Sequence, residues 1–199
     1  MQQIVLPIKD SNVLQQVKDT LLHNFKYGQR NYTIFQVGKA TLLRVSDVLR
    51  LQMSDVFTAE GEVKAHAYIH DQKTGKANQL WLAPVTHDLL TYREWLTAQQ
   101  IESQWLFPSL KPQRPGTDTH ITERQFYRIM ARVGDLLGIN YLGTHTMRKT
   151  GAYRVYEQSG HDIALVMDLL NHSSQAMTLK YLGLDQVTKE QKLQQIDFG

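Results

Sequence analysis

One short stretch of strand-like alternation, in a chain whose other segments have helical spacing, restricts the fold most. From 62 to 70 alternate residues are aliphatic, which is typical of a β-strand with one buried face. A second apolar run, 80–84, follows the polar stretch 71–78, in which Gly75 can adopt a positive φ. Two strands joined in this way predict an antiparallel hairpin. The predicted fold is therefore α+β, mainly α-helical with one small antiparallel sheet.

Apolar residues at helical spacing predict eight helices in the rest of the chain. Ser11 and Thr122 can cap the N-termini of two of them, and Gly28 and Gly138 are expected to end the same two helices. The stretch 107–119 contains three prolines and is the longest predicted loop. The helices are predicted over about 11–28, 31–39, 46–51, 86–99, 122–137, 144–158, 161–170 and 178–182.

The composition is that of a globular domain without disulfides. The chain has 199 residues, a formal net charge of +3 and no cysteine, so disulfides and thiolate metal sites are excluded. No apolar run reaches the ~20 residues of a membrane-spanning helix, and no signal peptide is recognisable. These properties predict a cytoplasmic protein without a membrane partner. The slightly basic balance is compatible with nucleic-acid binding but does not by itself indicate it.

Four polar segments carry the residues whose side chains are best suited to catalysis. They are LRVSD at 43–47, KTGK at 73–76, HTMR at 145–148, and NHSS at 171–174 followed by TLKYL at 178–182. The last segment is the most specific, because a His-Ser-Ser box with a tyrosine nine residues after its histidine is unusual. A His-x-x-Arg motif alone is weak, since it arises easily by chance in a chain with eight histidines.

The order and spacing of these segments resemble the tyrosine recombinases (phage-integrase family), from about Pro7 to Leu184. The resemblance implies the catalytic-domain fold of that family over residues 1–184 and a tail, 185–199, expected to dock on a neighbouring protomer. It implies double-stranded DNA as partner, a tetramer of protomers on paired DNA sites, and a bacterial, phage or mobile-element origin. It implies neither a cofactor nor a metal. The implied catalytic residues are Arg44, Lys73, His145, Arg148, His172 and Tyr181.

Cationic donors are needed because attack on a phosphodiester builds negative charge on the non-bridging oxygens. The planar guanidinium group donates two parallel hydrogen bonds to phosphate and stays charged. We therefore expect Arg44 and Arg148 to bind the phosphate, with His172 as a third donor.

Proton transfer is needed at both ends of the reaction. The Tyr181 hydroxyl is the expected nucleophile, and the resemblance implies a covalent 3′-phosphotyrosyl bond. Because the ordinary pKa of tyrosine is about 10, a base must accept its proton, and we expect His145 to do so. The leaving 5′-oxygen must gain a proton, for which Lys73 is the candidate acid.

Some positions depart from the usual family pattern. Leu42 stands where a small residue is usual, Lys149 stands where a histidine is frequent, and Asn171 stands where a glycine is frequent. Lys73 and Lys76 share one hairpin, so the choice of Lys73 depends on its Lys-Thr-Gly context. The segment before Arg44 is short for a separate core-binding domain, so we expect a fragment of a longer integrase or a compact recombinase.

Other basic residues are candidates for contacts with DNA phosphates. Three arginines recur every four residues between 124 and 132 and share one helix face, although a solvated face is the simpler interpretation. The candidates are Lys39, Lys76, Arg124, Arg128, Arg132 and Lys149.

Simpler interpretations of the separate motifs remain open. Arg44 and Asp47 could form a surface ion pair, and Tyr181 could be a half-buried packing residue. His66 and His70 have the spacing of a helical zinc site but lie in a predicted strand. Two further functions are also open: a type IB topoisomerase-like enzyme, and a DNA-binding regulator that has lost catalytic activity.

Overall fold

The protein is described by a computed structural model that covers residues 5–73, 75–110, 117–184, 193–194 and 196–197. Within these ranges it contains nine α-helices and one two-stranded sheet, which confirms the predicted fold class. None of the described helices is long and apolar enough to cross a membrane. The elements are α1 (Ser11–His23), α2 (Gly28–Thr41), α3 (Val45–Leu49), α4 (Met53–Val56), β1 (His66–His70), β2 (Ala77–Trp81), α5 (Thr86–Ala98), α6 (Glu123–Leu137), α7 (Thr146–Gln158), α8 (Ile163–Leu170) and α9 (Gln175–Tyr181).

The predicted hairpin is present, with shifted strand boundaries. Strands β1 and β2 pair antiparallel, and the buried Ala67 lies opposite the buried Leu80. Gly75 in the connecting loop has a φ of +65°, as predicted. The first strand begins later than expected, at His66, and the second lies at Ala77–Trp81 instead of the predicted 80–84. Before β1 the chain makes an isolated bridge between Phe57 and Val63. The alternating pattern therefore extends beyond the paired strand.

Of the four helix-end signals in the sequence, two are confirmed and two are wrong. Thr122 Oγ1 accepts a hydrogen bond from the backbone N–H of Gln125, and Gly138 ends α6 with a φ of +68°, as predicted. The cap of α1 is Asp10, and not Ser11, because its carboxylate accepts the backbone N–H groups of residues 12 and 13. Gly28 does not end α1 but begins α2.

The two departures Leu42 and Asn171 both have left-handed backbone conformations, with φ values of +54° and +57°. The frequency of glycine at the position of Asn171 then has a physical reason, since only glycine adopts this region without cost. Asparagine tolerates it well. Leu42 carries a penalty of about 1 kcal/mol or more, but its side chain is buried among apolar residues, and this burial offsets the strain.

Two apolar cores divide the molecule. The larger one lies among α1, α2, α3, α5, α6 and the buried face of the hairpin. The smaller one joins Leu42 to residues of α7, α8 and α9, with Val166, Leu170 and Leu182 fully buried. Helix α7 lies close against α2 at Gly151. A Cβ at this position would be only 1.9 Å from the Lys39 carbonyl oxygen, so only glycine fits there. The smaller core therefore determines where the segments 145–148 and 171–181 meet.

Candidate active site

Arg148 lies in the first turn of α7 and is almost completely buried, with 6% of its surface exposed. Its Nη2 atom donates a hydrogen bond to the carbonyl oxygen of Leu170, 3.0 Å away, at the C-terminus of α8. Burial lowers the pKa of the guanidinium from its ordinary value, and Tyr181 acts in the opposite direction. The group nevertheless stays charged at neutral pH because an arginine pKa begins above 12. The bond to α8 fixes this charge in one orientation.

His145 precedes α7 as its N-cap residue, so it does not lie within the helix as the predicted range implied. Its backbone carbonyl accepts the N–H of Lys149, and its side chain remains at the surface. Partial desolvation lowers the pKa of the imidazole below its usual 6.5, and the charges of Arg148 and Lys149 lower it further. His145 is therefore neutral at pH 7, which is the form that can accept a proton.

His172 and Tyr181 are in contact. Their ring centroids are 5.2 Å apart in an edge-on arrangement. His172 Nδ1 lies 3.0 Å from Thr178 Oγ1, and that hydroxyl donates its proton to the Ser174 carbonyl oxygen, 3.2 Å away. Because a carbonyl can only accept, the hydroxyl must accept the hydrogen bond from His172. This arrangement assigns the proton of the neutral imidazole to Nδ1 and leaves a lone pair on Nε2.

The Tyr181 hydroxyl is buried and makes no hydrogen bond of regular geometry to another described residue. Burial raises its pKa above the ordinary 10, and the nearby positive charges of Arg148 and Arg44 partly oppose this shift. Lys149 Nζ lies 5.0 Å from the centroid of the ring. The hydroxyl is therefore protonated at neutral pH, and its nearest charged neighbour is the guanidinium of Arg148, which lowers its pKa both by charge and as a hydrogen-bond donor.

Arg44 is the N-cap residue of α3 and forms an ion pair with Asp71, with 2.9 Å between Nη1 and Oδ2. The simpler interpretation, a surface pair with Asp47, is wrong. Asp47 instead accepts the backbone N–H of Gln72 through Oδ1 at 3.0 Å, while its buried Oδ2 has no described partner. Burial raises the pKa of this carboxyl, and the neighbouring Asp71 raises it further. Neither Asp47 nor Asp71 was a predicted site residue, although Asp47 lies within the LRVSD segment and Asp71 lies two residues before the KTGK segment.

Lys73 and Lys76 extend from the hairpin loop into solvent. Their exposure distinguishes them from Arg148, which is buried, and from Tyr181, which is half-buried. The hydrogen bond from Gln72 to Asp47 and the ion pair of Asp71 with Arg44 attach the base of this loop to the site. The two residues directly before Lys73 are thus attached to Asp47 and Arg44.

The other basic candidates differ in exposure. Arg124, Arg128 and Arg132 are exposed along α6, as the spacing predicted. Lys39 is half-buried and donates a hydrogen bond to Gln36 at 2.7 Å, and burial lowers its pKa to about 8. It is therefore a weaker candidate for a phosphate contact than the arginines. Within the described ranges, no three histidine, aspartate or glutamate side chains are grouped as metal ligands.

Residues 11–187 match the sequence profile of the phage integrase family. The chain belongs to this family. The protein named "Probable integrase/recombinase YoeC" from Bacillus subtilis (strain 168) is 35% identical over 186 residues, which is 93% of each chain. Tyrosine recombinase XerC from Corynebacterium glutamicum is 28% identical over 158 residues. These relatives confirm the predicted class, a tyrosine-type site-specific recombinase.

Solved structures have the same fold as this phage integrase family member. XerH site-specific recombinase bound to its palindromic difH substrate gives a TM-score of 0.64 at 21% identity, over 96% of this chain and 53% of that one. A lambda integrase dimer bound to a COC′ core site also gives 0.64, at 15% identity over 94% of this chain and 62% of that one. The chain covers only 46% of the length of the C. glutamicum XerC.

Proposed function

We propose that this family member cleaves and rejoins double-stranded DNA through a covalent 3′-phosphotyrosyl bond on Tyr181. The observation that carries the proposal is the Tyr181 hydroxyl, which is buried beside two guanidinium groups and forms no regular hydrogen bond among the described residues. A hydroxyl in this position is suited to attack a phosphate held by Arg44 and Arg148.

Arg148 and Arg44 bind the scissile phosphate in this proposal. Arg148 is buried and held by its hydrogen bond to the Leu170 carbonyl. Its guanidinium therefore needs little reorganisation when charge develops on the phosphate oxygens. The relatives solved with DNA substrates support a DNA partner. The exposed arginines of α6 would extend the contact along the backbone of the duplex.

His145 accepts the proton of Tyr181 as the phosphorus–oxygen bond forms. Its lowered pKa keeps the imidazole neutral at pH 7 and therefore ready to accept. His172 has its lone pair on Nε2, so it can donate from that atom to a phosphate oxygen only after it gains a second proton. The negative phosphodiester favours that proton, because an adjacent opposite charge raises the pKa of an imidazole.

Lys73 protonates the 5′-oxygen as the DNA bond breaks. The new tyrosyl ester retains the energy of the broken phosphodiester, so attack by a 5′-hydroxyl reverses the reaction without ATP. The residues proposed to act can carry out both steps without a bound metal or cofactor.

Covalent capture on nicked suicide duplexes tests the proposal directly. A duplex that loses the short fragment bearing the new 5′-hydroxyl after cleavage cannot be rejoined, so the protein–DNA complex accumulates and survives SDS. Because the target sequence is unknown, a pool of duplexes is used without added divalent metal. We expect a covalent band from the wild type and none from Tyr181→Phe.

Tyr156→Phe is the matched control, because Tyr156 is also partly buried against the smaller core. It should retain the band. A band that persists in Tyr181→Phe, or that requires a divalent metal, would contradict the proposed mechanism. Clear DNA binding with no band from the wild type would favour the inactive regulator.

Strand exchange distinguishes a recombinase from a topoisomerase-like enzyme, since both would form the same covalent bond. Recombination of a defined paired site, without relaxation of arbitrary supercoiled plasmids, is the expected result. We also propose that protomers assemble as a tetramer on paired sites through the tail 185–199. Most of this tail lies outside the described residues. Its deletion should abolish cooperative binding to a paired site.

A further inference from the structure

Asp71 is a buried carboxylate at the start of an exposed loop. It follows β1 directly and has 4% of its surface exposed, whereas Gln72, Lys73 and Lys76 are exposed. A carboxylate removed from water in this way is destabilising unless charged or polar groups compensate it. The groups that compensate Asp71 therefore indicate what the residue does.

The polar atoms of Asp71 connect three parts of the site. Oδ2 pairs with Arg44 Nη1 at 2.9 Å, across 27 residues of sequence. Oδ1 accepts from Asn78 Nδ2 in β2 at 3.3 Å. The backbone N–H of Asp71 donates to the Lys76 carbonyl, and its own carbonyl accepts the Gly75 N–H. One residue thus closes the loop that carries Lys73 and attaches this loop to Arg44.

The ion pair has two opposite consequences for a phosphate ligand. It uses Nη1 of Arg44 and holds the guanidinium in one orientation, while the remaining donors of the fork stay available. The carboxylate also adds negative charge beside the site. Its electrostatic effect reaches Arg148 and Asp47 and raises the pKa of each. Orientation favours the chemical step, whereas the charge opposes binding of an anion.

We propose that Asp71 is a positioning residue that couples the phosphate-binding Arg44 to the hairpin loop of Lys73. This inference rests on the proposed function. Asp71 does not touch the reacting atoms but places two groups that do. Its loss should therefore impair cleavage without impairing binding to DNA.

Asp71→Asn tests the coupling, with Asp19→Asn as the matched control. Asp19 is exposed on α1 and its carboxylate accepts a hydrogen bond from Gln15, so the control removes the same charge far from the hairpin. With saturating suicide duplex, we expect Asp71→Asn to form the covalent complex about 100-fold more slowly, because a small misplacement has an effect of this size. Its DNA affinity should equal or exceed that of the control. Asp71→Glu, which keeps the charge, should recover part of the rate.

A duplex with a 5′-bridging phosphorothiolate at the scissile position separates the two positioned groups. A thiolate leaves without a proton, so this substrate does not need Lys73 as an acid. We expect the modified linkage to restore part of the Asp71→Asn rate, with the remainder reflecting the misplaced Arg44. Equal rates for Asp71→Asn and Asp19→Asn at saturating duplex would overturn the coupling. A lower DNA affinity that accounts for the whole loss of the cleavage rate would also overturn the coupling.

Limited trypsin digestion gives a test that does not require catalysis. Lys73 and Lys76 are exposed, and cleavage after them depends on local opening of the loop. Asp71→Asn should be cut faster there than the wild type and Asp19→Asn, and Asn78→Ala should show a smaller increase. Unchanged digestion in both hairpin variants would overturn the anchoring role. If the wild type forms no covalent complex, the proposed function fails, and the digestion still decides whether Asp71 anchors the loop.

Discussion

The helical and hairpin sides of the site are built differently. On the helical side, Arg148 and Tyr181 are fixed by burial, by the Leu170 carbonyl and by the smaller core. On the hairpin side, Lys73 is exposed on a loop whose base is attached to the site by Asp71 and Gln72. Groups that bind a phosphate and attack it benefit from rigidity, because their geometry must exist before charge develops. A proton donor only has to reach the leaving oxygen, so a tethered side chain is sufficient.

The largest effect within this comparison should come from removing the hairpin acid. Lys73→Ala should slow covalent-complex formation by roughly 10²- to 10⁴-fold, which is the usual contribution of a proton-transfer residue. Lys76→Ala, in the same loop, should change the rate little. Rates on suicide duplexes with ordinary and phosphorothiolate linkages measure both variants. Lys73→Ala should regain most of its rate on the modified linkage, and a larger loss in Lys76→Ala would reverse the assignment of the two lysines.

The pH dependence should report the helical side of the site. Desolvation and the charges of Arg148 and Lys149 lower the pKa of His145 below 6.5, so the base stays neutral as pH falls from 8 to 7. Below that lowered pKa the imidazole is protonated, and the cleavage rate should fall about tenfold per pH unit. Single-turnover rates at saturating duplex provide the profile. His145→Gln should be slower and should lack this acid limb, and a midpoint above 6.5 in the wild type would contradict His145 as the base.

The smallest effect should come from the residue that orients His172. Thr178→Val keeps the shape of the buried side chain but removes the hydroxyl that accepts the hydrogen bond from Nδ1. Because one hydrogen bond contributes about 1 kcal/mol, we expect cleavage to slow roughly fivefold. Thr178→Ser keeps the hydroxyl and should remain near the wild-type rate. Nitrogen chemical shifts of His172 should show Nδ1 protonated in the wild type and a mixture of tautomers in Thr178→Val.

The motifs were sufficient to indicate the family, but they did not predict how the proposed catalytic residues are held. The order of Arg44, the hairpin lysine, His145, Arg148 and the later His172–Tyr181 segment was sufficient to indicate the family. The family profile and the relatives confirm that assignment. The catalytic roles of the individual residues remain predictions.

The sequence by itself determined the elements whose signals are local. Thr122 and Gly138 bound α6, Gly75 turns the hairpin, and alternation marks its strands, because each signal acts within about four residues of the backbone. The left-handed positions Leu42 and Asn171 were visible as departures from the family pattern, but their conformation was not. A single sequence does not contain the backbone angle that makes glycine frequent at the position of Asn171.

Only the tertiary structure decided the partners of the charged groups. Asp47 is three residues from Arg44 and was the natural partner by spacing, yet Arg44 pairs with Asp71, 27 residues away. The pairing depends on where β1 ends relative to α3, which follows from packing of the hairpin on the larger core. The tautomer of His172 likewise depends on Thr178, which α9 places against it. Such contacts are long-range consequences of burial, and local propensity carries no information about them.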